Sequence, residues 1–238
     1  MTEQILGDYE ELASEYYSST RHPTCANFRS ASALVLDRWL GNISRTSGWI
    51  CEVGPGKSLL AELLTAAGES LHRLILADSS PSMLRHSSRW AQDGARLAVA
   101  DAGALPVRSE RVALLVASVG DPYNQPSFWA EARRVLKPRG AVVFTTPSYA
   151  WASSFRPYSN GRKMAAEFEL ADGRHVSVPS FIYSEEQQAE LIAAQGLSVT
   201  EVYNVPISAL RNQPISPKLL VERKERPDVL TGYRVVKP

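Results

Sequence analysis

The 238-residue sequence carries 26 Lys plus Arg against 25 Asp plus Glu, a net charge of +1; that balance gives no electrostatic reason to expect a nucleic-acid or membrane partner. Two cysteines, Cys25 and Cys51, are too few for a disulfide framework or a cysteine-based zinc site, and a reduced, cytoplasmic protein is expected. The opening MTEQILGDYEELASEYY is acidic and amphipathic without a continuous apolar run, so neither a leader peptide nor a membrane-spanning helix is expected.

Residues Thr2 to Ser18 place Ile5, Leu6, Tyr9, Leu12, Ala13 and Tyr16 at the spacing of one helical face, which predicts a leading helix. A polar break at Arg21, His22 and Pro23 separates it from a second helix over about Ala26 to Leu40, ended by Gly41. The apolar run Trp49 to Val53 predicts the first strand, and a helix follows from about Lys57 to Ala67. Strands and helices then alternate. Strands are predicted at Leu71 to Ala77, Ala95 to Ala100, Val112 to Val119 and Ala141 to Thr146, with helices at Pro81 to about Gln92 and Pro126 to Leu136. That alternation is the mark of an α/β fold built on a mostly parallel sheet.

Beyond Pro147 the rhythm breaks in a stretch to Tyr183 rich in Trp, Tyr, Phe, Ser and Pro, where substrate selectivity is expected; Tyr149, Trp151, Phe155 and Tyr158 there suit a planar or apolar small molecule and could equally pack the stretch's own small core. Within it, Ala165 to Leu170 and His175 to Val178 flank an Asp-Gly turn and predict a hairpin. Ser184 and Gln187 form a capping-box pattern for a helix ending near Gly196. Leu197 to Val205 and Val229 to Val236 read as the last two strands. Pro206 to Asp228 between them is either a second lid or a loose loop.

The stretch WICEVGPGKS, Trp49 to Ser58, joins a strand to a helix through a glycine turn, a junction that presents backbone N–H groups to a ligand. Asp78 closes the second strand 24 residues after Gly54, close to the offset of about 20 at which an acidic side chain meets a ribose in nucleotide-binding α/β folds. Asp101 closes the third strand in the same way. A nicotinamide fingerprint, Gly-x-Gly-x-x-Gly, requires a third glycine where Leu59 stands, so that cofactor is disfavoured.

The ordered segments CEVGPGKS, LILADSSPSML, VADAGALPV, VALLVASVGDP and RRVLKPRGAVVFTTP resemble the class I S-adenosylmethionine-dependent methyltransferases, in particular their small-molecule branch, over about Tyr9 to Pro147. The resemblance implies a Rossmann-like, seven-stranded, mostly parallel sheet with helices on both faces and a final antiparallel strand, Leu230 to Val236. It implies one methyltransferase domain over 1–238, with 1–45 as a helical cap on the cofactor and 148–183 and 206–228 as inserted substrate-side segments. Glu52, Gly54, Pro55 and Gly56 would line the methionine end of S-adenosylmethionine, with Tyr16 in the covering segment. Asp78 would bind the ribose with Ser79 beside it, Met83 would pack near the adenine, and Asp101 and Ala102 would hydrogen-bond its edge. Ser118 would border the point where cofactor and acceptor meet. The family's usual third motif glycine is Ser58 here, and Ser79 stands where an apolar residue is usual.

Methyl transfer needs alignment rather than a protein nucleophile, and a general base only if the acceptor's pKa demands one. Candidates for that role are His22, Asp121 and Tyr123, with Tyr16 and Tyr17 also in range of the covering segment. Asp121, Pro122 and Tyr123 are similar to an Asp-Pro-Pro-Tyr motif of N-methyltransferases with one proline missing, although a plain turn accounts for them equally. The four histidines are scattered and no metal site is expected. The expected activity is methyl transfer to oxygen or nitrogen of a small, planar or partly apolar acceptor, releasing S-adenosylhomocysteine, by a monomer or homodimer. A non-catalytic cofactor-binding protein acting through a partner, or a methyltransferase for a nucleic-acid or protein amine, are the alternatives.

Overall fold

The computed structural model describes residues 9–40, 47–155, 164–210, 213–220 and 228–238. Nine strands, β1 Trp49–Val53, β2 Leu74–Asp78, β3 Arg96–Val99, β4 Val112–Ala117, β5 Leu136–Pro147, β6 Ala165–Glu169, β7 His175–Pro179, β8 Ser198–Val205 and β9 Leu230–Val236, are found among these residues. Seven α-helices accompany them: α1 Tyr9–Leu12, α2 Pro23–Leu40, α3 Leu59–Ala66, α4 Pro81–Arg85, α5 Pro126–Val135, α6 Tyr149–Phe155 and α7 Glu185–Ala193.

The main sheet has the order β3-β2-β1-β4-β5-β9-β8, while β6 and β7 form a separate antiparallel hairpin. Strands β1 to β5 are parallel, and β9 runs antiparallel between β5 and β8. Because successive side chains alternate across a strand, each central strand feeds two cores. Ile50, Leu76, Leu114 and Val143 pack on one side with α2, α3 and α6. Cys51, Ala77, Leu115 and Phe144 pack on the other with α5 and α7. Covering both faces explains why the strands read as apolar runs rather than alternating ones.

Several element boundaries differ from the sequence-based expectation, each for a local reason. The described part of the leading helix is α-helical only from Tyr9 to Leu12 and continues as turns to Tyr17; its first residues lie outside the described set. A continued helix would point Tyr16 and Tyr17 about 100° apart, whereas their rings meet edge to face at 5.0 Å. The helix begun at Pro81 stops at Arg85, and a single 3₁₀ turn, Ser88–Ala91, follows. At the break, the Ser87 hydroxyl donates to the Gly56 carbonyl (2.6 Å) and accepts from Ser58 N–H (2.7 Å). Strand β2 begins at Leu74 rather than Leu71, because Leu74 N–H closes a turn on the Leu71 carbonyl at 2.9 Å. Strand β4 ends at Ala117, two residues early, since Val119 takes a left-handed φ of 53°. Strand β5 begins at Leu136, and its register on β4 shifts between Val112 and Leu114, where Arg139 adopts φ 62°.

The predicted hairpin and the capping box on α7 are present. Of the four lid aromatics, Trp151 is a core residue: its ring stacks edge to face on Phe28 at 4.9 Å, and Tyr149 packs against the same core. The Phe155 side chain and all of Tyr158 lie outside the described residues. Segment 206–228 is fastened to α2 where it is described. Asn27 Nδ2 donates to the Pro214 carbonyl at 3.0 Å, and Asn27 Oδ1 accepts from Ser216 N–H at 2.8 Å.

Candidate functional site

At the carboxyl ends of β1 to β4 lies a cavity of about 440 Å³, where open parallel sheets build their pockets. Its floor is the turn after β1. Gly54 and Gly56 take φ 59° and 45°, a region that residues with a Cβ resist. Ser58 then caps α3, its hydroxyl accepting from Ala61 N–H at 2.9 Å. The serine that replaces the third motif glycine is thus a helix cap.

Glu52 is fully buried beneath this turn. Its carboxylate accepts from the Ser58 hydroxyl and from Leu59 and Leu60 N–H at 3.3 and 3.4 Å. Burial pushes its pKa up to about 7, against the pull of those hydrogen bonds. Asp78, at the end of β2, accepts Gly56 N–H at 2.9 Å on one oxygen and Ser80 N–H at 3.0 Å on the other. Burial also raises the Asp78 carboxyl above its ordinary value, and the oxygens keep lone pairs for further donors. Asp101, exposed just past β3, accepts Gly103 N–H at 2.7 Å.

The cavity brings together Tyr16, Glu52, Gly54, Pro55, Asp78, Ser79, Met83, Asp101, Ala102, Ser118 and Tyr123 from the sequence-predicted set. Gly56 does not line it; the Tyr17 ring lies over that residue, and a Cβ there would come within 2.0 Å of the Tyr17 hydroxyl. His22 and Asp121 do not line it either. His22 is buried behind Tyr16, its ring on Phe168 at 5.4 Å and its Nε2 3.8 Å from Glu15, and burial lowers its pKa. Asp121 accepts from the Ser180 hydroxyl, and its backbone carbonyl accepts Phe181 N–H at 2.7 Å, so it ties the β4 end to the hairpin. Tyr123 does face the cavity and donates its hydroxyl to the Val53 carbonyl at 2.7 Å. Burial holds the Tyr16, Tyr17 and Tyr123 hydroxyls protonated by raising their pKa values.

A strap, residues 9–23, roofs the site. On the side of β2 and α4, Glu10 accepts from the Ser80 and Ser82 hydroxyls and from Ser82 N–H at 3.0 Å. The Tyr17 hydroxyl accepts Lys57 N–H at 2.7 Å, and the His86 ring meets the Ala13 carbonyl at 2.7 Å. On the other side, Leu12 packs with Leu170, Val176 and Val178 of the hairpin, and Arg174 pairs with Glu11 at 3.1 Å.

Cavity residues that sequence reasoning did not assign include Tyr9, Cys25, Ala26, Arg29, Ser30, Val119 and Pro179. Four of them, Cys25, Ala26, Arg29 and Ser30, lie on one face of α2, a small and polar stripe beside its apolar one. The Arg29 guanidinium donates to the Lys57 carbonyl and pairs with Glu62 at 2.8 Å, at the glycine-turn end of the cavity.

Residues 51–144 match the family model described as a methyltransferase domain. No curated protein sequence matches the chain. Among solved structures, one described as a DhpI-SAM-HEP complex is similar, with TM-score 0.65 and 19% identity, covering 97% of this chain and 94% of that one. The Haloferax volcanii complex of the Trm112 methyltransferase activator with a methyltransferase matches at TM-score 0.66 and 13% identity, over 98% of this chain and 100% of that one. A SAM-dependent methyltransferase from Thermotoga maritima, described as a possible histamine N-methyltransferase, matches at TM-score 0.59 and 16% identity, over 97% and 98%.

Proposed function

We propose that this chain is a class I S-adenosylmethionine-dependent methyltransferase, a reading supported by the domain match over residues 51–144 and by the fold, and that it methylates oxygen or nitrogen of a small, partly apolar acceptor. The observation that carries this reading is the mixed lining of one cavity, in which carboxylates and a glycine turn stand together with Tyr16, Cys25, Val119 and Pro179. The chain is read as one methyltransferase unit, with the strap and α2 as its cap and the hairpin as its acceptor wall.

In this reading the cofactor, S-adenosylmethionine, lies across the strand ends. Asp78 accepts from the ribose hydroxyls, Met83 packs on the base and Asp101 takes a base N–H, while Gly54 and Pro55 give the methionine end room. Arg29 stands where the cofactor's carboxylate needs a cation, and Glu52 lies where its ammonium needs an anion. The bound cofactor supplies a sulfonium methyl to an acceptor lone pair, its carbon–sulfur electron pair staying on sulfur to leave S-adenosylhomocysteine while any acceptor proton passes to solvent.

The chain's residues contribute alignment and exclusion of water, which can supply much of the rate without a nucleophile. Among the described residues no histidine lines the cavity, and its carboxylates, Glu52, Asp78 and Asp101, are engaged by the cofactor in this reading, so the acceptor should be nucleophilic without a strong enzymic base. The test is a screen of phenols, carboxylic acids and amines with methyl-labelled cofactor. Turnover of a small acceptor, abolished in Asp78→Ala, supports the reading; labelling only of tRNA, DNA or protein refutes the small-molecule assignment, and cofactor binding with no labelled product anywhere favours a non-catalytic role.

A further inference from the structure

The loop between β3 and β4, residues 100–111, carries Asp101 and Ala102 into the cavity and contains no helix or strand. Near the cavity it is shaped by its own turns. Gly103 N–H donates to the Asp101 carboxylate at 2.7 Å, and Ala104 N–H donates to the Asp101 carbonyl at 3.0 Å. Bonds of this kind shape a turn without fixing where it stands against the sheet. Leu105, which follows, is buried in the core shared with α5.

The anchor comes from α5. Glu131 Oε1 accepts Leu105 N–H at 2.6 Å, and Arg134 Nη2 donates to the Leu105 carbonyl at 3.2 Å. The same two side chains form a two-pronged pair, Arg134 Nε on Glu131 Oε2 and Nη2 on Oε1, both at 2.6 Å. Glu131 is buried. Burial by itself would raise its carboxyl, but the Arg134 and Leu105 hydrogen bonds outweigh it and hold the carboxyl below its ordinary value, so the group is an anion at neutral pH. One ion pair therefore grips both backbone polar groups of a single loop residue with charge-assisted bonds, which are roughly twice as strong as neutral ones. The helix meets the loop again one turn earlier, where a Cβ on Gly103 would come 3.2 Å from Ser127 Cβ. Neither Glu131 nor Arg134 lines the cavity. An i,i+3 pair serving its own helix lies along the helix surface; here the acid is turned inward onto the loop.

We infer that the Glu131–Arg134 pair is a positioning device for base recognition: by holding Leu105 it fixes the turn that aims the Asp101 carboxylate at the amino edge of the cofactor's base. The inference deepens the cofactor placement proposed above and rests on it.

The test compares two probes on the full chain. S-adenosylhomocysteine offers an exocyclic amino group at the base edge, and S-inosylhomocysteine carries a carbonyl oxygen there; their ribose and amino-acid ends are the same. Titration calorimetry should give the wild type a preference for the adenosyl probe of about 10-fold or more, the range of a hydrogen bond to a charged group. Asp101→Ala and Glu131→Ala should each narrow that preference by about 5-fold or more, the first by removing the acceptor and the second by misplacing it. The double variant should narrow it little further than Asp101→Ala, since both changes act through one contact. A merely structural anchor would lower the melting temperature and leave the preference of the folded protein as it is. Should Glu131→Ala fail to fold, Arg134→Gln, at a side chain 38% exposed, carries the test and should narrow the preference by about 2- to 5-fold. Variants of Glu131 and Arg134 that keep the wild-type preference while Asp101→Ala loses it overturn the positioning role, as do losses that add in the double variant. If the wild type shows no preference, or Asp101→Ala keeps it in full, the base placement fails instead, and this inference with it.

Discussion

Replacing Gly54 by alanine tests the glycine turn where it meets the Tyr123 ring. A Cβ at this position would sit 2.7 Å from Tyr123 Cε1 and 3.0 Å from the Tyr123 hydroxyl oxygen. The ring cannot swing away freely, since its hydroxyl donates to the Val53 carbonyl and its face packs on Phe128 at 5.1 Å. Keeping φ at 59° with a Cβ costs about 1–2 kcal/mol, and overpacking adds about 1–3 kcal/mol. The sum, about 2–5 kcal/mol, corresponds to a melting temperature lower by about 4–20 °C for a chain of this size. Scanning calorimetry measures the shift, and S-adenosylhomocysteine titration measures the site. A second change, Tyr123→Ala, should return the overpacking share but not the φ share, so the two substitutions should couple by about 1–3 kcal/mol. A Gly54→Ala protein melting within about 1 °C of wild type, with unchanged S-adenosylhomocysteine affinity, would refute both the strain and the placement of the ligand beside this turn.

Glu52 and Glu10 make opposite pH predictions. The folded Glu52 carboxyl titrates at about 7 against an ordinary 4.5, so the folded chain holds more protons between those values. Its stability relative to Glu52→Gln should therefore be greatest below pH 4.5 and decline as pH rises to about 7, with a slope of at most about 1.4 kcal/mol per pH unit; denaturant midpoints that stay parallel across this window would contradict it. If Glu52 faces the cofactor's ammonium, sinefungin affinity should rise through the same window and lose that rise in Glu52→Gln. For Glu10 the hydrogen bonds from Ser80 and Ser82 lower the carboxyl from 4.5 to about 2. Its contribution is present above pH 4.5 and is lost as pH falls towards 2. Amide exchange in the strap should accelerate over that acid range in wild type more steeply than in Glu10→Gln, and equal profiles would remove Glu10 as a clasp.

Much of the sheet could be read from residue types because its strands are buried on both faces. Trp49 to Val53 between polar and glycine-rich neighbours was legible as a strand for that reason. Boundaries were missed where a side chain bonds backbone distant in sequence, as Ser87 does to the glycine turn after α4 and Thr145 does at Val119. The same limit applies to the site. Asp78 and Asp101 were visible as acids closing strands, but Arg29 and Cys25 reach the cavity only because α2 turns a narrow small and polar face to it. His22 was a candidate base by its place before Pro23 in the covering segment, and tertiary packing turns it towards Glu15 and Phe168.

The place of β9 carries a consequence for how the protein is made. Strand β8 joins the sheet through β9 alone, from Ser198 opposite Val236 to Val205 opposite Leu230. During synthesis the parallel strands that cradle the cavity emerge before β9, so β5 keeps an open edge until β9 arrives to fill it. Pairings between distant parts of a chain are slow to form, and unpaired apolar edges invite association with other chains. The seven-residue strand β9 therefore acts as a late closing step relative to the strands that precede it, and its deletion should lead to aggregation of the product rather than to a shortened but folded chain.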